Sequence, residues 1–125
     1  MIVLDTSVLI EHLRGRAEAH AALRRAVEDD QLLTASVLTK IEVTAGMRSS
    51  ERRSLETLFT AVEWLPVTDA IADDAGALAR QFRRSHQTID VVDYVIAATA
   101  RAHGAAVWTL NTKHFPMISE IRPPF

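Results

Sequence analysis

Four short apolar runs recur along the chain, separated by segments with helical periodicity. They are MIVL (1–4), LLTA (32–35), WLPV (64–67) and AVWTL (106–110). Runs of four or five apolar residues without alternation suit strands buried on both faces, and helices between them suit a mostly parallel sheet. The intervening periodicity predicts helices from Thr6 or Ser7 to Gly15, over 17–30, from the Ser36 cap to Met47, from Ser50 to Glu63, from Asp69 to His86, and from Asp90 to Gly104. Pro66 places the third strand at an edge. Residues 118–121, ahead of Pro123-Pro124, are expected to add a last edge strand. The fold class is therefore α/β, a parallel sheet flanked by helices, with ligands expected just beyond the carboxyl ends of the strands.

A length of 125 residues fits one domain, residues 1–125, with no repeat, low-complexity tract or linker. There is no cysteine, which excludes disulfides, cysteine zinc sites, iron–sulfur clusters and thiol nucleophiles. No apolar run approaches the roughly 20 residues that span a bilayer, and Asp5 interrupts the first run too early for a secretory signal. No membrane association and a cytoplasmic location are expected. A net charge of −2 and an aromatic content of 6% argue against nucleic-acid binding by bulk charge or base stacking. Of the 14 basic residues only Lys40 and Lys113 are lysines. Arginines gather at Arg48, Arg52, Arg53 and at Arg80, Arg83, Arg84, either as solvated helix faces or as phosphate contacts.

Three acids sit in unusual places. Asp5 follows the first strand, where it is a helix cap or a functional acid at the sheet edge. Glu42 falls among Leu38, Ile41 and Ala45, the apolar stripe expected for its helix. An ionised carboxylate there is costly unless paired or bound to metal, or else the stripe is wider and Glu42 faces water. Asp93 shares a helix stripe with Ile96, Ala97 and Ala100, while Asp90, three residues earlier, reads as the N-cap of a capping-box pattern. Asn111, with Thr109, follows the last core strand, at the same edge as Asp5, and also suits a turn. The five histidines show no zinc spacing and read as surface residues; Ser7 has no evident histidine partner. If Asp5, Glu42 and Asp93 converge, their repulsion calls for a divalent cation. Oxygen ligands without Cys or His favour Mg²⁺ or Mn²⁺, and such sites perform phosphoryl chemistry.

At these residues the chain resembles the PIN-domain ribonucleases of the VapC type, the toxins of type II toxin–antitoxin pairs. The resemblance rests on four segments in order: IVLDTSVLIEHLRG, TASVLTKIEVTAG, DVVDYVIAATARAHG and WTLNTKHF. It implies a PIN-like three-layer fold and an Mg²⁺- or Mn²⁺-dependent endoribonuclease that leaves 5′-phosphate and 3′-hydroxyl ends. Carried over, the resemblance makes Asp5, Glu42 and Asp93 the catalytic and metal-binding acids, with Thr6 and Ser7 supporting Asp5. The family's fourth acidic position holds Asn111, so one well-held ion is implied. His114 stands where relatives often carry Asp. Arginines would hold the RNA backbone. The implied partners are the RNA substrate, a second copy in a homodimer, and a cognate small antitoxin laid across the active-site groove.

Two rival readings differ in class. A phosphoacceptor receiver domain expects an acidic pair after the first strand, where this chain has Asp5 alone. A catalytically silent PIN-fold module that only pairs with an antitoxin has no need to retain three acids.

Overall fold

β1 (Ile2–Leu4) is the strand around which the others assemble. The computed structural model describes all 125 residues. β1 pairs in parallel with β2 (Leu33–Ser36) on one side and β4 (Ala106–Trp108) on the other, and β3 (Glu63–Leu65) pairs in parallel with β2. The order is β3-β2-β1-β4, so the Pro66 run lies at an edge, as expected. Six helices complete the fold: α1 (Thr6–Leu13), α2 (Ala17–Glu28), α3 (Val37–Gly46), α4 (Arg52–Ala61), α5 (Asp69–Phe82) and α6 (Val91–His103). Short 3₁₀ turns cover Ser49–Glu51 and Thr112–His114.

Side-chain alternation along β1 sorts the core into two layers. Ile2 and Leu4 pack with Val8, Leu9, Leu23, Leu33, Leu55 and Leu58. Val3 points to the other face, against Ile71, Leu78, Ile96, Val107 and Phe115. The result is the three-layer parallel architecture expected from the sequence. α6 is buried from Asp93 through Ala100. Its small residues Ala97, Ala98 and Ala100 fit the crowded position between the sheet and α5. Gly104, at φ 60°, closes it with the left-handed turn a Cβ disfavours. No helix is long and apolar enough to cross a membrane.

Three local expectations need correction. The cap of α1 is Asp5, not Thr6 or Ser7: its carboxylate accepts the Thr6 backbone N–H at 2.8 Å. α5 stops at Phe82 rather than His86. Residues 118–121 form no strand. Glu120 adopts φ 55°, outside the extended region, and Ile118 and Ile121 pack into the core as loop side chains.

Phe115 is fully buried and seats the segment that follows β4. Phe115→Ala is expected to cost about 3–5 kcal/mol, the usual range for emptying an aromatic core site. Reversible thermal or urea unfolding measures it; a loss below 1 kcal/mol would mean that the segment does not depend on this anchor.

Candidate active site

The carboxyl ends of β1 and β4 lie side by side, and Asp5 joins them. Its backbone N–H donates to the Trp108 carbonyl at 2.9 Å, extending the ladder by one step. Its side chain is almost wholly buried, at 5% exposure. Oδ2 accepts from the Ser7 hydroxyl at 2.9 Å and from the Thr109 hydroxyl at 2.6 Å, while Oδ1 accepts the Thr6 N–H. A carboxylate oxygen has room for two donors, so Oδ2 is filled and Oδ1 keeps one acceptor position. Ser7 in turn accepts the Leu110 N–H at 3.0 Å, and Thr109 accepts the Asn111 N–H at 2.9 Å. The loop after β4 is thus tied to the start of α1 through hydroxyl groups. Cap and candidate functional acid are the same residue.

Glu42 arrives from α3. The face of that helix buried in the core carries Thr39 and Val43, while Ile41 is 65% exposed and Ala45 is exposed. The expected Leu38–Ile41–Ala45 stripe is therefore not the packed face. The register is shifted because β2 runs straight into α3, with Ser36 both ending the strand and accepting the Leu38 N–H. Glu42 is half-buried beside that face, and its Oε1 accepts the Thr6 hydroxyl.

Asp93 comes from the first turn of α6. Asp90 caps this helix, accepting the Val92 N–H at 2.9 Å and the Asp93 N–H at 3.3 Å, and Asp93 returns the bond by accepting the Asp90 N–H at 3.3 Å. The capping box read from the sequence is present. Burial lifts the Asp93 carboxyl to about pH 6, and the negative charges of Asp90 and Asp5 push the same way. The Asp90 N–H and the nearby His114 oppose the shift. His114 Nδ1 lies 3.3 Å from Asp93 Oδ2.

These residues share one open pocket of about 440 Å³ at the carboxyl edge of the sheet. Asp5, Glu42, Asp90 and Asp93 line it with Asn111 and His114. No arginine or lysine forms an ion pair with any of the four acids. A profile of the PIN domain family matches residues 2–120. The chain belongs to the PIN domain family.

Two curated relatives carry the match further. Ribonuclease VapC19 of Mycobacterium tuberculosis is 43% identical over 125 residues, covering all of both chains. Ribonuclease VapC10 of the same species is also 43% identical over 125 residues, covering all of this chain and 93% of the relative. Among solved structures, a toxin–antitoxin complex from Klebsiella pneumoniae superposes with a TM-score of 0.79 at 26% identity, over 100% of this chain and 98% of that one. The receiver-domain reading is set aside by this family membership.

Asp5, Glu42, Asp90 and Asp93 share a pocket without forming a closed cage: no three carboxylate or imidazole groups stand together as a ready ligand set. The arrangement still fits Mg²⁺ or Mn²⁺. Mg²⁺ keeps several waters and uses only one or two carboxylates, and burial first, with the Asp90 and Asp5 charges beside it, disfavours the ionised Asp93, a penalty that a cation would relieve. Three contributions go beyond the sequence reading, which placed Thr109 at this edge and noted His114 without giving either a partner. Thr109 reaches Asp5 only because β4 neighbours β1. His114, read as a surface histidine, meets Asp93 at the pocket. Glu11, also in the lining, sits one helical turn beyond Ser7 on the same face of α1, a spacing that can be read from the sequence once Ser7 is placed.

The Asp93 shift predicts a pH-dependent stability. A carboxyl raised in the folded state supports folding fully below its ordinary value near 3.8, and that support is lost as pH rises through about 6. In metal-free buffer, Asp93→Asn is therefore expected to melt higher than the parent at pH 7.5. The difference should shrink towards pH 4. Melting curves across this range check it, and a difference that does not change with pH would contradict the assignment.

Proposed function

We propose that this chain is a metal-dependent endoribonuclease toxin of the cytoplasm, acting as a homodimer and silenced by a cognate small antitoxin. The observation that carries the reading is the set of Asp5, Glu42, Asp90 and Asp93, brought by the end of β1, by α3 and by the start of α6 to one pocket with no arginine or lysine paired to them. Keeping such charges together costs stability, which a binding-only module has no reason to bear. The two Mycobacterium relatives named as ribonucleases, and the toxin–antitoxin complex with the same fold, support the activity and the partner.

Asp5 and Asp93 are the residues that would hold Mg²⁺ or Mn²⁺. When bound, such an ion lowers the pKa of a water and offsets charge on the phosphate of an RNA phosphodiester. Asp5 offers Oδ1, the oxygen left with a free position, and its three donors fix the carboxylate in orientation. Glu42 keeps Oε2 without a hydrogen-bond partner while Thr6 steadies Oε1, which suits it to orient a water or take its proton. His114, 3.3 Å away, steadies Asp93. Asn111 adds no charge, so the set suits one ion better than two.

The homodimer is supported by an apolar hollow of about 360 Å³ between α5, α6 and the start of α3. Leu38, Val67, Ala75 and Tyr94 line it beside Val91, which is 68% exposed. The buried Tyr94 hydroxyl has no hydrogen-bond partner within the chain. Val91→Arg is expected to shift the protein to monomer in light scattering. An unchanged mass would place the dimer contact elsewhere.

The activity is tested with single-stranded RNA and Mn²⁺. The parent chain should cut it, EDTA should stop the reaction, and Asp5→Asn should lower the rate by orders of magnitude. Expression of the parent should arrest bacterial growth, with relief on co-expression of the partner encoded beside it, while Asp5→Asn should be harmless. Full cleavage by Asp5→Asn in EDTA would end the reading.

A further inference from the structure

The fold treats its two arginine groups differently. Three guanidinium groups elsewhere are engaged: Arg14 pairs with Glu51, Arg16 with Glu11 and Glu18, and Arg101 with Asp74. Arg80, Arg83 and Arg84 are exposed and lie in no ion pair. All three line one concavity of about 840 Å³ at the end of α5, floored by Gly76 and Ala79 and closed by Gln87. A Cβ placed on Gly76 would meet nothing, so the floor is open. Ala79, Arg83 and Gln87 also line an adjoining hollow of about 270 Å³ that reaches Asp90. Asp90 lines the acidic pocket. Shared lining residues therefore link the arginines, by way of Arg83 and Gln87, to Asp90 at the acidic pocket. Arg48, Arg52 and Arg53 surround the Ser49–Glu51 turn; they too lie in no ion pair, but they line none of these hollows.

We infer that Arg80, Arg83 and Arg84 hold the phosphate backbone of the RNA strand as it leaves the acidic pocket, with Asp90 at the junction. The inference rests on the nuclease reading above and names the surface that reading lacks. The spacing sets Arg80 beside Arg83 and Arg84 on the helix and the turn that follows it, giving adjacent planar forks suited to successive phosphates. Arginines in a last helical turn also favour the helix dipole, but the dipole does not account for three of them sharing one hollow. The apolar anchors that a protein partner would call for lie in the neighbouring hollow given above to the homodimer, which shares Gly76 and Ala79 with this one, while the arginine concavity itself is lined mainly by polar residues. The contact is with the backbone, so it adds affinity without reading sequence.

The test compares two charge-matched triple variants of the full chain: Arg80→Gln/Arg83→Gln/Arg84→Gln, and Arg48→Gln/Arg52→Gln/Arg53→Gln. The probe is a fluorescein-labelled 20-nucleotide single-stranded RNA, read by anisotropy in EDTA over a range of salt. Cleavage of the same RNA is followed separately with Mn²⁺. The first variant should weaken binding by about tenfold or more, and losing three phosphate contacts should reduce the salt slope by about 2. In cleavage, KM should rise while kcat stays near the parent value. The second variant should bind like the parent. Equal losses in both variants would reveal general charge attraction and overturn the proposal, as would no loss in the first. Unchanged RNA binding with lost retention of an acidic polypeptide, poly-glutamate, would assign the hollow to a protein partner and overturn it too. So would a change of oligomeric state in the first variant, which would give the arginines to assembly. A parent chain that binds RNA but never cuts it defeats the nuclease reading and leaves the arginine assignment to be decided by the binding data.

Discussion

The Asp5 carboxylate is the interaction on which the rest of the site depends. It terminates β1, caps α1, and draws Thr109 and the loop after β4 against the start of α1. Hydrogen bonds to an ionised acceptor are about twice as strong as neutral ones, and these are mostly shielded from water. The same three donors that make Asp5 a structural joint also hold it at one orientation. A residue of the site that is a joint of the fold cannot drift as the surrounding loops move. Its removal is therefore a structural change as well as a chemical one, and loss of activity at Asp5 has to be read beside a melting curve.

Asp93 carries the opposite balance. It projects from a helix buried through most of its length, and its charged form is penalised by burial and by two neighbouring carboxylates. The Asp90 N–H and His114 return only part of that cost. A strained charge at the edge of a sheet is what a cation-binding pocket needs, because a group already satisfied by arginine has little to gain from metal. None of the ion-paired arginines meets Asp5, Glu42, Asp90 or Asp93: they pair with Glu51, Glu18 and Asp74, and with Glu11 in the lining of the same pocket.

Most of this was legible in the sequence, and the misses share a cause. Short apolar runs marked all four strands: the inner strands β1 and β2 are buried along their whole length, and the edge strands β3 and β4 each bury one residue. Ser36, Asp90 and Gly104 marked helix ends because capping is local chemistry. The acids Asp5, Glu42 and Asp93 were visible as carboxylates where apolar or cap residues were expected, and the PIN resemblance named the same three. The errors arose where a neighbour distant in sequence decides. The packed face of α3 depends on how β2 delivers it, so Ile41 was misread as core. Residues 118–121 carry strand-like side chains, but Glu120 turns the backbone out of the extended region. Thr109 and His114 gain their roles only from the adjacency of β1 with β4 and of the last loop with α6.

A net charge of −2 conceals a strongly divided surface. A small hollow that reaches Asp90 lies between the acidic pocket and the arginine concavity, and each of those two has the sign that the other lacks. Averaged over the chain they nearly cancel, which is why composition argued against nucleic-acid binding by bulk charge. Screening confines a surface charge's influence to about 8–10 Å at ordinary ionic strength. A phosphate chain therefore responds to local fields rather than to the sum, drawn by the guanidinium groups and repelled by the bare acids. On the nuclease reading, a cation in the acidic pocket reverses that repulsion at one point. The same polyanion is then attracted at both ends, and the position of the acids relative to the arginines sets which phosphate comes to rest where cleavage occurs.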